Sequence, residues 1–292
     1  MKNPQVKRAI ARWQTWWIRL FVLTVLVSTV VPLPVPRPWD LALTAVPLVL
    51  AFVRAPRSPR PAVDLAPPVH GRWVALNSPG TAVPSHGVRA YGQTYAVDLL
   101  RPSPGAPATI GWSLRTRPPE SYPCFGAPVL AMAPGTVIRA TDTQRDHRSR
   151  DTWPALLWMM TVEAFARELA GVSRILGNHV IVEHDDGTWA AYAHLRHGSA
   201  QVRPGDRVTA GRQLAEVGNT GNTSEPHLHV QLMDDPHPPA AAGIPMRWPA
   251  LITDGDDRDP RWATGEPKPT AQPGFPQNGQ VLEVVQPRAC RH

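Results

Sequence analysis

Cysteine is almost absent. The 292 residues hold two, Cys124 and Cys290, so there is no disulfide framework and no Cys-x-x-Cys zinc site. Any metal must be held by histidine and carboxylate. Charge is sparse too, at 18% of residues, and its basic excess of +7 suits an anionic partner such as a membrane surface or an acidic polymer. The basic residues are scattered, however, with no aromatics interleaved among lysines and no nucleic-acid motif, which argues against nucleic-acid binding. No apolar run reaches the ~20 residues of a comfortable membrane span. Proline, by contrast, occurs 35 times, far above the ordinary share of about 5%, and gathers at the edges of the recognisable regions.

Composition divides the chain. Residues 1–19 form a basic segment, with Lys2, Lys7, Arg8, Arg12 and Arg19 set among Trp13, Trp16 and Trp17. Two apolar runs, Leu20 to Val35 and Trp39 to Val53, flank Pro36-Arg37-Pro38. Region 20–53 is therefore expected to be a helical membrane anchor of one or two spans, in contact with lipid, its tryptophans at the interfaces. No small-x-small cleavage site follows the first run, which argues against a removed leader. Residues 54–70 read as a Pro/Arg linker without periodicity. Residues 71–252 switch to short strands bounded by Gly, Pro and Asp, such as Tyr95 to Leu100, Gly135 to Ala140 and His179 to Glu183, the pattern of an all-β sandwich or barrel. A helical insertion is predicted over 153–176, where Trp158, Val162, Phe165, Leu169, Val172 and Leu176 recur at intervals of three and four. Its apolar stripe is expected to pack on the sandwich. The tail, 253–292, is Pro- and Gly-rich and expected to be mostly irregular, with one possible strand from Gln280 to Val285.

The chemistry concentrates in two short stretches, Tyr192-Ala-His194-Leu195 and Pro226-His227-Leu-His229. Side chains alternate along a strand, so His227 and His229 share one face while Leu228, Val230 and Leu232 share the other. Imidazoles gathered on one side of a sheet can supply both a zinc ligand and a proton-transfer group.

With the flanking blocks included, the sequence resembles the lysostaphin-type (LytM-like) zinc metallopeptidases, which are peptidoglycan endopeptidases. The resemblance runs from about Asn77 to Asp234. It rests on Gly126 to Ala131, Ala133 to Val137, Gly177 to Val182, Tyr192 to Leu195, Val202 to Val208, Gly211 to Leu214, Gly218 to Gly221 and Pro226 to His229, in that order. It implies an antiparallel β-sheet sandwich of the duplicated hybrid motif type, with an open groove, a Zn2+ cofactor and a peptidoglycan peptide as substrate. Carried over, His229 and Asp98 become metal ligands and His194 and His227 the two non-ligand catalytic histidines. From the strand itself, His179 shares a face with Ile181 and Glu183, so it and Asn178 are candidates to line the groove and bind substrate, the alternative being a plain place on the sandwich surface.

One position departs. The family's remaining ligand is a histidine four residues before the aspartate, and here that position is Thr94, a poor zinc ligand. His86 is the candidate replacement. If residues 84–98 form two strands about a turn centred on Ala90, His86 stands opposite Thr94 and shares its face with Asp98. A register shift of one residue would turn it away. His86, Asp98 and His229 would leave a fourth position open, as in catalytic zinc sites.

Two rival readings remain open: an inactive relative that binds wall peptide or activates another hydrolase, favoured by Thr94, and a biotinyl- or lipoyl-carrier sandwich, which lacks a lysine at a hairpin tip. The flanking basic residues favour a cytoplasmic side for both ends of the anchor, whereas a wall substrate requires the opposite. The site outweighs the charge bias, so the domain after about Gly71 is expected to be extracytoplasmic.

Overall fold

A computed structural model describes residues 3–31, 36–103, 110–263 and 265–284. Cys290 lies outside them. Three helices open the chain: α1 (Pro4–Arg12), α2 (Gln14–Val30) and α3 (Arg37–Ala51). Asn3 caps α1 by accepting from Gln5 N–H at 2.9 Å. Helix α2 packs on α3, and both leave large apolar side chains exposed, Leu23, Leu26 and Trp39 among them. Among the described residues no single helix is long and apolar enough to cross a membrane; α1 and α2 qualify only as a pair bent by 60°.

The strands follow, in chain order β1 (Val63–Asp64), β2 (Gly71–Leu76), β3 (Val97–Leu100), β4 (Pro128–Leu130), β5 (Gly135–Thr141), β6 (Asn178–His184), β7 (Trp189–Leu195), β8 (Arg207–Val208), β9 (Gln213–Glu216), β10 (Leu228–Met233), β11 (Met246–Arg247), β12 (Leu251–Arg258) and β13 (Gln280–Val284). Nine of them form one antiparallel sheet in the order β12-β13-β2-β3-β10-β7-β6-β5-β8. Strands β4 and β9 pair separately, and their Val129, Leu214 and Ala215 join the core built on one face of the large sheet. Val97, Leu99, Tyr192, Leu228, Val230 and Leu232 supply that face. Alternation therefore sends Asp98 and His229 to the opposite face, out of the main core.

The architecture is mostly antiparallel β-structure, as the strand pattern predicts, but several boundaries shift. The expected linker is not free: Val63–Asp64 pairs in parallel with β11, and Leu65 and Val69 are buried. Two-residue pairing leaves no periodicity in the sequence. The tail carries the expected strand, β13, and no strand among the described residues of 259–279, but it is tied into the fold. Strands β12 and β13 extend the main sheet, and Phe275 enters the core.

The insertion is not one helix. It comprises α4 (Trp153–Trp158), a π turn (Met159–Glu163), α5 (Ala164–Ala170) and α6 (Val172–Leu176), broken at Gly171 with φ +106°. The π turn, with its wider i→i+5 bonding, shifts the helical pattern. Met159 and Leu176 turn inward, while Trp158, Val162 and Phe165 stay 54, 47 and 53% exposed. The predicted stripe is thus not buried on the sheet.

Candidate functional site

The register of β3 and β10 builds the centre of the site. Asp98 stands directly opposite His229, and His229 Nδ1 lies 2.9 Å from Asp98 Oδ1. His229 Nε2 donates to Gln231 Oε1 at 2.9 Å. The proton assignment follows from Gln231, whose Nε2 donates to the Tyr91 carbonyl at 2.6 Å and so leaves only the oxygen to face the ring. His229 thus keeps Nδ1 for the site.

His86 completes the cluster, with Nε2 3.3 and 3.2 Å from the two Asp98 oxygens. Its route differs from the expected hairpin. Residues 84–89 form no strand, His86 sits in a turn, and Tyr91 and Gly92 both adopt left-handed backbone in the stretch Ala90–Tyr95. Ser85 rather than His86 meets Thr94, by a 3.1 Å bond from its N–H to the Thr94 carbonyl. Thr94 lines a separate cavity with Arg89, Gly243 and Thr270.

The two non-ligand candidates stand alongside. Ala193 is the residue opposite His229, so strict alternation would turn His194 towards the core. A left-handed backbone at His194, φ +61°, breaks the alternation. Its ring centroid lies 5.7 Å from that of His229 and 4.8 Å from that of His227. His194 Nδ1–H donates to the Thr220 carbonyl at 2.8 Å, and His227 Nδ1–H to the Glu225 carbonyl at 2.7 Å. Carbonyls only accept, so Nε2 of each ring is the atom free to take a proton.

Electrostatics follow from burial and this packing. Burial alone would raise the Asp98 carboxyl, but the charges of His86 and His227 and bonds from His229 and His86 hold it well below the usual carboxylate range. Burial disfavours a cation at His229, yet its bond to Asp98 outweighs this and raises it. His86 is lowered by burial, partly offset by Asp98. Burial, followed by repulsion from His227 and His229, pushes His194 well below its ordinary value and keeps it neutral.

Ligand atoms of His86, Asp98 and His229 all lie within 4.8 Å of one another, the one such group among the described residues. Two imidazoles and a carboxylate are a fitting donor set for zinc. The histidines and Asp98 line a groove of about 490 Å³ whose walls include Gln14, Arg54, Met159, Glu168 and Trp262. A larger cavity of about 830 Å³ beside Arg72, Arg101 and Arg258 brings together no metal-ligating cluster among the described residues.

Asn178 and His179 do not reach this groove. Both are fully buried. Asn178 clamps the Gln144 backbone, accepting from its N–H and donating to its carbonyl at 2.8 Å each, and His179 Nδ1–H donates to the Gly177 carbonyl at 2.7 Å. These bonds tie each side chain to backbone away from the groove lining. Sequence reasoning missed Asn77, whose Nδ2 donates to Asp98 Oδ2 at 2.7 Å from a left-handed position just beyond β2. It also missed Gln231, although continuing the alternation of His227 and His229 by two residues finds it.

Residues 161–240 match Peptidase family M23. The matched span holds His194, His227 and His229 and begins after His86 and Asp98. The chain is 46% identical over 56 residues to the cell division protein DipM of Caulobacter vibrioides, covering 19% of this chain and 9% of that one. It is 36% identical over 72 residues to the peptidoglycan DD-endopeptidase ShyA of Vibrio cholerae, covering 24% of this chain and 16% of that one. These relatives are thus matched over only a small part of their length. Among solved structures, the lysostaphin catalytic domain of Staphylococcus simulans shows 19% identity over 53% of this chain and 86% of that one, at a TM-score of 0.30, too slight a likeness to add weight. The chain carries a Peptidase family M23 domain.

Proposed function

We propose that the chain is a zinc endopeptidase that hydrolyses peptide bonds in bacterial peptidoglycan. One observation carries the reading: the three clustered donors His86, Asp98 and His229 stand beside two histidines whose Nε2 atoms are free. Zinc held by those three residues would supply Lewis-acid polarisation of a peptide carbonyl. Asn77 and Gln231 orient the ligands, as outer partners do at metal sites. Neutral His194 accepts a proton at Nε2, and the neighbouring His227 ring can hold or return one, the acid–base pair that amide hydrolysis needs. Helices α2 and α3, with their exposed apolar faces, anchor the chain at a lipid bilayer in this reading, and the domain works on the extracytoplasmic side.

Digestion of purified peptidoglycan by the full chain, with and without a chelator, tests the activity. Release of new amino groups that stops on chelation and returns with zinc is the expected result; no release at any zinc level overturns it. Alkaline phosphatase fused after Trp248 is expected to be active, whereas fluorescence of a cytosol-only reporter at that point contradicts the localisation. A second reading, an inactive wall-binding relative, is favoured by one observation, the threonine at position 94, and predicts binding to peptidoglycan without cleavage.

A further inference from the structure

The groove is not made by the metallopeptidase domain alone. Gln14 and Arg54, from the N-terminal helical region, line it together with His86, Asp98, His227 and His229. Three contacts fix that region against the domain. Arg8 pairs with Asp234 at 2.6 Å, Gln14 Nε2 donates to the Tyr91 hydroxyl at 2.9 Å, and Arg19 Nε donates to the Leu169 carbonyl at 2.8 Å. Arg54 lies three residues past the end of α3 and its guanidinium turns back onto the helix, Nη1 donating to the Ala51 carbonyl at 2.6 Å, a cation on the last carbonyls of a helix.

The charges lining the groove are unevenly partnered. Asp98 is bonded by Asn77, His86 and His229. Glu225 takes a two-oxygen bond from Arg261 at 3.1 and 3.0 Å. Glu168 accepts from the Tyr91 hydroxyl. Arg54 is the one lysine or arginine among the lining residues, and among the described residues no carboxylate lies within ion-pair distance of it. A guanidinium carries five N–H donors; the described hydrogen bonds of Arg54 use only Nη1, and its Cζ lies 5.7 Å from the centre of the Phe52 ring. A half-buried arginine with donors to spare, on a groove wall where Asp98 and Glu225 already have cationic or histidine partners and Glu168 takes a hydroxyl, matches the planar geometry of a carboxylate.

We propose that Arg54 binds a carboxylate of the substrate peptide, so that the enzyme selects wall peptides bearing a free carboxylate near the scissile bond. The inference rests on the endopeptidase reading and gives the N-terminal region a part in specificity besides any anchoring.

The test uses the full chain and soluble cross-linked muropeptides, either native or with their carboxylates converted to carboxamides. The unaltered chain is expected to cleave the native set with kcat/KM about tenfold or more above the amidated set, the loss of a charge-assisted bond. Arg54→Gln should raise KM on the native set by about the same factor, leave kcat and zinc content unchanged, and abolish the preference. Arg54→Lys should retain part of it. Cleavage of both sets at equal efficiency by the unaltered chain overturns the inference, as does an Arg54→Gln chain with an undiminished preference, while leaving the endopeptidase reading intact. No cleavage of either set by the zinc-loaded chain overturns both.

Discussion

Asp98 and His229 occupy directly opposed positions on neighbouring antiparallel strands, with Nδ1 of the histidine 2.9 Å from the carboxylate. Two of the three candidate ligands are therefore set by sheet register, the most rigid part of the fold, and only His86 comes from a turn. Sites built on strands hold their geometry more closely than sites on loops.

In the proposed reading His194 and His227, each tied to a backbone carbonyl through Nδ1, move protons rather than hold the metal. His194→Ala and His227→Ala should each keep the zinc content of the unaltered chain while lowering turnover roughly 10²–10⁴-fold. Metal analysis beside a peptidoglycan digestion assay checks this; equal zinc loss in both variants contradicts the division of roles.

Gln231 holds His229 in the tautomer that leaves Nδ1 for the site. Gln231→Leu keeps the size and removes the acceptor, and should weaken zinc binding about 10–100-fold in a chelator competition. Gln231→Glu retains an acceptor and should bind zinc more tightly than the leucine variant.

His179 is fully buried, and burial lowers its pKa from 6.5 to about 4. The unfolded chain then binds a proton that the folded chain refuses between those values. Its penalty is absent well above pH 6.5 and grows as pH falls through 6.5 towards 4, reaching about 3 kcal/mol. Denaturant unfolding at several pH values should show this acid loss reduced in His179→Phe; parallel curves for the two proteins would show that His179 does not titrate as buried.

Much of the site was legible because alternation in a strand is a strong constraint. The motif from His227 to His229 and the apolar Leu228, Val230 and Leu232 together specify which face carries chemistry, and the structure separates them accordingly. What escaped was whatever depends on broken regularity. His194 reaches the site through a left-handed residue, and His86 through a turn and two left-handed residues, 91 and 92, where a hairpin was expected. Asn178 and His179 read as groove residues because their strand was identified but its depth was not; both turn out wholly buried. The insertion's spacing of three and four was real, yet a π turn and Gly171 divide it, so one stripe could not describe it.

The central claim is that His86 supplies the ligand that position 94 does not. Zinc stoichiometry by elemental analysis, on the full chain and on His86→Ala, tests it most directly. About one zinc per chain is expected for the unaltered protein, with loss in His86→Ala and no recovery when Thr94→His is added, since Thr94 lines a different cavity. An unchanged zinc content in His86→Ala would contradict the account.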